Sequence, residues 1–152
     1  MQPALYQALR ARRPEIHARW EALLRVERAT TPLAHPDTLV YLIDWSLDEI
    51  FRALLTPPAN RARVCDCSCG RNPYVMYYHA GEQAMHEALV LTQFSSPALN
   101  PLDRDQALRD LKHTLEHLSY REIQAFCAVC QFHRSALTGE APAGMSTLPL
   151  AN

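Results

Sequence analysis

Apolar residues recur along this chain at intervals of three and four, and glycine is nearly absent. Its only glycines are at 70, 81, 139 and 144. No Asn-Gly or Asp-Gly pair marks a hairpin, and no stretch sustains alternation of apolar and polar residues. Spacings of three and four line up side chains on one face of a helix. The chain therefore reads as all-α.

Proline and asparagine set the expected boundaries. A first helical region spans Pro3 to Thr30, with Pro14 opening its main helix and Ile16, Trp20, Leu23 and Leu24 as its stripe. A second runs from Pro36 to Leu55 and is stopped by Pro57-Pro58; Leu39, Leu42, Ile43, Ser46, Leu47, Ile50, Phe51 and Leu54 share its apolar face. Asn72-Pro73 pairs a capping side chain with a first-turn proline, so a third helix is expected from there to Phe94. Its stripe is Tyr74, Tyr77, Tyr78, Gly81, Ala84, Met85, Ala88 and Leu91. Asn100-Pro101 opens a fourth, which the spacing carries past Phe132 with Leu108, Leu111, Leu115, Leu118, Ala125 and Val129 inward. The expected architecture is an antiparallel bundle of four main helices, with a three-plus-one arrangement as the alternative. Residues 1–136 form its single domain, and 137–152 read as a disordered tail.

The five cysteines fall in two tight groups. "CDCSCG" holds Cys65, Cys67 and Cys69 in the connection between the second and third helices, and "CAVC" holds Cys127 and Cys130 in the fourth. An up-down bundle brings the groups together. The third helix leaves the cysteine-bearing end over about 22 residues, or ~33 Å, and the fourth returns to it. Cys127 and Cys130 stand three apart, so they project from one side of the fourth helix, on the flank of a core face expected at Phe126 and Val129. The loop cysteines precede a helix N-terminus and are flanked by Arg61, Arg63 and Arg71, all of which favour thiolate.

Thiolate is the form that ligates metal. In an extended segment Cys65 and Cys69 point one way and Cys67 the other. The simplest site thus takes two loop cysteines with Cys127 and Cys130 in tetrahedral sulfur coordination, which suits zinc or an iron–sulfur cluster. His133 is a substitute nitrogen ligand. Two other readings stand beside this one: a thiol–disulfide pair at Cys127 and Cys130, and cysteines that serve only as small core residues.

Histidines offer a competing metal site and their faces argue against it. His79, Glu82 and His86 share one side of the third helix, His113 and His117 one side of the fourth, with His17 and Asp48 at similar depth. At about 100° per residue, His79 and His86 lie about 140–160° from Gly81, and His113 and His117 about 160° from Leu115. They read as solvated. Glu122 falls on the apolar stripe and needs a partner, an arginine such as Arg63 or Arg71; the other reading is a supporting carboxylate or an acid/base beside the thiolate site. Gly81 lies mid-helix on the core face, where its ~1 kcal/mol cost against alanine implies close packing, with Trp45 or another bulky side chain as the neighbour.

Residues 9–25, "LRARRPEIHARWEALLR", resemble the opening helix of the RsbR-type N-terminal domains of bacterial stress-response regulators, through Arg13, Glu15, Ile16, Trp20 and Leu24. Those domains are all-helical, globin-like sensory modules. The resemblance implies a sensing or partner-binding role rather than catalysis and assigns no functional residue.

Basic and acidic residues nearly cancel, 15 against 16, so charge makes no case for nucleic acid. "LVYLI" at 39–43 ends at Asp44, and "MQPALYQALRARRPEI" has no signal-peptide core, which predicts a cytoplasmic protein that does not span a membrane. No phosphate-binding glycine loop, nucleophile elbow or dinucleotide fingerprint occurs. The expected function is a metal- or cluster-binding helical protein with a structural or sensing role, linked to a protein partner or to a second copy. The alternatives are a Cys127/Cys130 oxidoreductase and a metal-free interaction module.

Overall fold

The computed structural model describes residues 1–26, 35–56, 71–96 and 99–130. Every regular element among them is helical. The expected first region divides into α1 (Pro3–Ala11) and α2 (Arg13–Val26). Pro14 lacks an amide hydrogen to carry the hydrogen-bond ladder of α1 onward, so the chain breaks at Arg12 and restarts with proline in the first turn. Leu5, Tyr6 and Leu9 of α1 and Ile16, Trp20 and Leu24 of α2 are buried.

The second region is likewise divided. A single turn, α3 (Pro36–Leu39), passes through a tighter 3₁₀ turn at Val40–Leu42 into α4 (Ile43–Leu55). Ile43, Ser46, Leu47, Ile50, Phe51 and Leu54 form the expected buried face. The third and fourth helices start where the Asn-Pro pairs place them, as α5 (Pro73–Phe94) and α6 (Pro101–Val129). Asn72 caps α5 by accepting from the Tyr74 amide at 3.0 Å, and Asn100 caps α6 by accepting from the Asp103 amide at 2.9 Å. α6 ends at Val129, with Cys130 in extended backbone as its cap. The helix thus stops short of the expected Phe132, and the expected tail lies outside the described residues.

α5 and α6 run antiparallel. At one end the Asn72 side chain donates to the Ile123 carbonyl at 3.1 Å; at the other, Gln93 donates to the Arg104 carbonyl at 3.0 Å. α2 packs along α5, pairing Trp20 with Tyr77 and Arg19 with Glu87. α4 joins this frame through Ser46 to Tyr77, Phe51 to Tyr6, and Asp44 and Asp48 to Arg13. α1 lies across the far end, where Gln2 bonds Asp103 at the start of α6.

The centre of the core is Trp20, which is wholly buried. Its indole Nε1 donates to the Tyr77 carbonyl at 3.0 Å, and its ring centroid stands 4.8 Å from that of Tyr77. The ring lies over Gly81: a Cβ at that position would stand 2.6 Å from both Cε2 and Cη2 of the indole, and nearer still to Cζ2. The close packing expected at Gly81 is present, but its neighbour is Trp20; Trp45 is half-exposed. A glycine costing about 1 kcal/mol of helix propensity is thereby required by the ring it accommodates.

Three positions depart from the expected stripes. Leu91 is 54% exposed, Val129 is 74% exposed, and Ala125 is exposed. At the end of α6 the buried residues are Ile123, Cys127 and Cys130 instead. Cys127 lies about 180° around the helix from Leu118. The buried face rotates because the last turns of α6 are covered by the start of α5, where Asn72 and Tyr74 pack against them.

The Trp20–Gly81 contact carries a specific expectation. Gly81→Ala should lower the thermal unfolding midpoint despite its better helix propensity, because overpacking costs on the order of 1–3 kcal/mol. In a double-mutant cycle with Trp20→Leu the penalty should shrink, since the smaller side chain makes room for the methyl group. Thermal melts followed by circular dichroism would measure both effects. Additive losses would mean that the two positions do not press on each other.

Candidate functional site

The cysteine pair lies at the end of α6, where the cap of α5 reaches Cys127. Cys127 is 2% exposed and Cys130 8%. The expectation of a pair on the flank, with Val129 turned to the core, is thus inverted. Cys127 is inward, Phe126 is half-buried with its ring edge-on to Tyr74 at 6.2 Å, and Val129 faces out. Ile123, Cys127 and Cys130 follow one another at intervals of four and three, which is itself a helical stripe. That signal was present in the sequence; extending the Leu111–Leu118 stripe in phase obscured it.

Asn72 connects the pair to α5. Beyond capping the helix, it donates through Nδ2 to the Ile123 carbonyl and to Cys127 Sγ, the latter at 3.4 Å. The sequence showed this residue only as a cap. A capping asparagine still has two amide hydrogens to place, and its own burial, at 6% exposure, sends them into the protein. The Cys130 amide donates to the Cys127 carbonyl at 3.3 Å and tightens the final turn around the pair.

Cys65, Cys67 and Cys69 lie outside the described residues, as do Arg61, Arg63 and His133. Among the described residues, no group of three or more histidine, cysteine, aspartate or glutamate side chains is placed to hold a metal ion. His79 is exposed, and His17, His86, His113 and His117 are partly exposed. His17 stands 3.8 Å from Asp44, and His86 3.9 Å from Glu82.

At the same end of the fold, the tyrosine run expected to line core and rim with its hydroxyls toward solvent or the site instead buries the Tyr77 and Tyr78 phenols. The Tyr77 hydroxyl and Ser46 Oγ are 2.8 Å apart, and Tyr78 stands edge-on to Tyr77 with ring centroids 5.2 Å apart. Both phenols are pushed far above their usual range, Tyr77 chiefly by burial and Tyr78 by burial and then by the Glu122 carboxylate. Glu122 is partly buried, as its place on the stripe implied, but its partner is Arg121 at 2.8 Å. The same guanidinium lies 3.9 Å from Glu49 on α4. An open cleft of about 300 Å³ between α5 and α6 borders this region, floored by Met76, Leu115 and Ile123 and rimmed by His79, Glu82 and Glu116.

No family model matches the chain, and no curated protein or solved structure matches it. Among residues 9–25, Ile16, Trp20 and Leu24 form the buried face of α2, while Arg13 bonds Asp48 and lies 3.1 Å from Asp44. The roles visible for them are in packing and helix pairing. No helix among the described residues is long and apolar enough to cross a membrane.

The tyrosines predict a direction with pH. A phenol whose folded pKa exceeds its ordinary value of 10.0 stays protonated in the native state while the unfolded chain ionises. The stability these groups contribute is complete below pH 10 and declines as pH rises beyond it. Thermal midpoints should therefore fall above pH 10, and fall less steeply in Tyr78→Phe. Absorbance near 295 nm should show the buried pair ionising only as the protein unfolds.

Proposed function

We propose that this protein binds a metal ion or an iron–sulfur cluster through cysteine thiolates at the end of α6, and that the site has a structural or sensing role. The observation that carries the reading is the hydrogen bond from Asn72 to Cys127 Sγ, which joins the start of α5 to the cysteine pair. Cys69 precedes Asn72 by three residues, so chain connectivity alone keeps their Cα atoms within about 11 Å. Cys65 and Cys67 follow within a few residues more. The reading needs α5 and α6 to be antiparallel and assumes the up-down order of four main helices for the rest.

The ligands would be Cys127 and Cys130 with two of Cys65, Cys67 and Cys69. Four thiolates around one ion form a closed tetrahedral site of the structural kind. Binding would release the thiol protons to solvent and tie the 57–70 connection to α6, so its free energy would add to that of folding. Arg71, at the edge of the described residues, would offset part of the negative charge. A cytoplasmic setting, where thiols stay reduced, suits such a site. The resemblance of residues 9–25 to RsbR-type sensory domains favours sensing and a protein partner over catalysis.

A second reading, a helical interaction module without metal, is favoured by one observation. Large apolar side chains remain exposed where α5 gives way to α6, with Phe94 at 86% and Leu102 at 77%. A homodimer through this surface would persist after the cysteines are removed.

Metal content and visible absorption of protein purified without oxygen or an affinity-metal column test the first reading. About one zinc per chain without colour would indicate a closed sulfur site. Iron with broad visible absorption would indicate a cluster, and put redox sensing first. Cys127→Ser with Cys130→Ser should abolish the bound metal and lower the unfolding midpoint. Metal-free protein with five titratable thiols would overturn this reading in favour of the dithiol or interaction-module alternatives.

A further inference from the structure

The open cleft between α5 and α6, about 300 Å³ in volume, lies at the low end of the size range of small-molecule sites. Its floor is apolar. Met76 contributes from α5, and the buried Leu115 and Ile123 from α6. Its two sides carry charge of one sign, with Glu82 on the α5 rim and Glu116 on the α6 rim. Each carboxylate has one basic neighbour on its own helix, His86 at 3.9 Å from Glu82 and Lys112 at 3.8 Å from Glu116. Both separations exceed hydrogen-bond range, and water screens both pairs. No other basic side chain among the described residues pairs with either carboxylate.

The surroundings add negative charge. Arg121 is shared between Glu122 at 2.8 Å and Glu49 at 3.9 Å, one guanidinium against two carboxylates. Tyr78 lines the cleft, and after burial the Glu122 carboxylate is the next cause that raises its phenol. His79, also on the rim, adds no charge while its imidazole is neutral. A low-polarity floor under a rim of one sign favours a ligand that is apolar at one end and oppositely charged at the other. We propose that this cleft binds a small molecule that joins an apolar body to one protonated amine. The body displaces water from Met76, Leu115 and Ile123, and the ammonium lies on the rim with Glu82 and Glu116. An anion of the same shape meets like charge there and is rejected. None of these residues belongs to the cysteine groups, so the site stands apart from the metal-binding reading.

The experiment titrates the full chain with phenethylamine at about pH 8, where a primary alkylamine is protonated. The readout is the methyl resonance of Met76, assigned through Met76→Leu. Met76 lines the cleft, whereas Met85 is enclosed in the core and serves as the internal control. The Met76 signal should shift and saturate while that of Met85 stays in place. Phenethyl alcohol, which keeps the body and lacks the charge, should bind about threefold more weakly or worse. Methylammonium, which keeps the charge and lacks the body, should bind about tenfold more weakly or worse. Phenylacetate should not bind. In Glu82→Gln with Glu116→Gln, both at the surface, phenethylamine should fall to the affinity of the alcohol. No shift of Met76 at about 10 mM phenethylamine would overturn the site. Equal binding of the amine, the alcohol and phenylacetate, or unchanged amine affinity in the double variant, would overturn the assignment of a cationic ligand.

Discussion

The rest of this fold depends on an indole lying flat on a glycine. Trp20 can be wholly buried in α2 only because α5 presents Gly81 beneath it, with the ring edge held by a hydrogen bond to the Tyr77 carbonyl. In an α-helix that carbonyl also accepts from the amide four residues on, which here belongs to Gly81. One turn of α5 thus provides both the space and the acceptor. Tyr77 then extends the contact to α4 through Ser46. Three helices are fixed by residues that span five positions of α5, and the register of α2 against α5 has little freedom left.

That register has a consequence at the end of the molecule where the cysteines lie. Tyr77 is one turn from the α5 N-terminus, so fixing it also fixes Asn72 and Tyr74 against the end of α6. Asn72 is where helix capping, helix pairing and the cysteine site meet. A buried side-chain amide is costly unless all of its groups are used, and here each end has a partner. The surface ion pairs contribute less. Arg19 with Glu87 and Arg25 with Glu21 and Asp37 are exposed, where water and salt screen the attraction. They favour the helix pairing that the core has already chosen.

Much was legible in the residues. The Asn-Pro pairs placed the starts of α5 and α6, the α4 stripe was correct in every residue from Ile43 to Leu54, and Gly81 announced a close contact. These signals are local: a cap, a missing amide hydrogen or a missing side chain acts on the turn in which it occurs. The end of α6 was misjudged because periodicity was continued in phase from Leu111 through Leu118 to Ala125 and Val129. Periodicity finds a stripe but does not say what covers it, and the covering element changes along α6.

The sequence by itself determined that the chain is helical, where its long helices begin, and that its cysteines belong to two groups, because each of these follows from neighbours in the chain. Only the tertiary structure decided that Trp20 is the residue Gly81 receives, that Cys127 faces inward while Val129 faces out, and that Asn72 hydrogen-bonds its sulfur. Those facts join residues 55 to 61 positions apart, or depend on which helix packs over a given turn. No pattern along one segment contains that information, since it is set by how whole helices exclude water from one another.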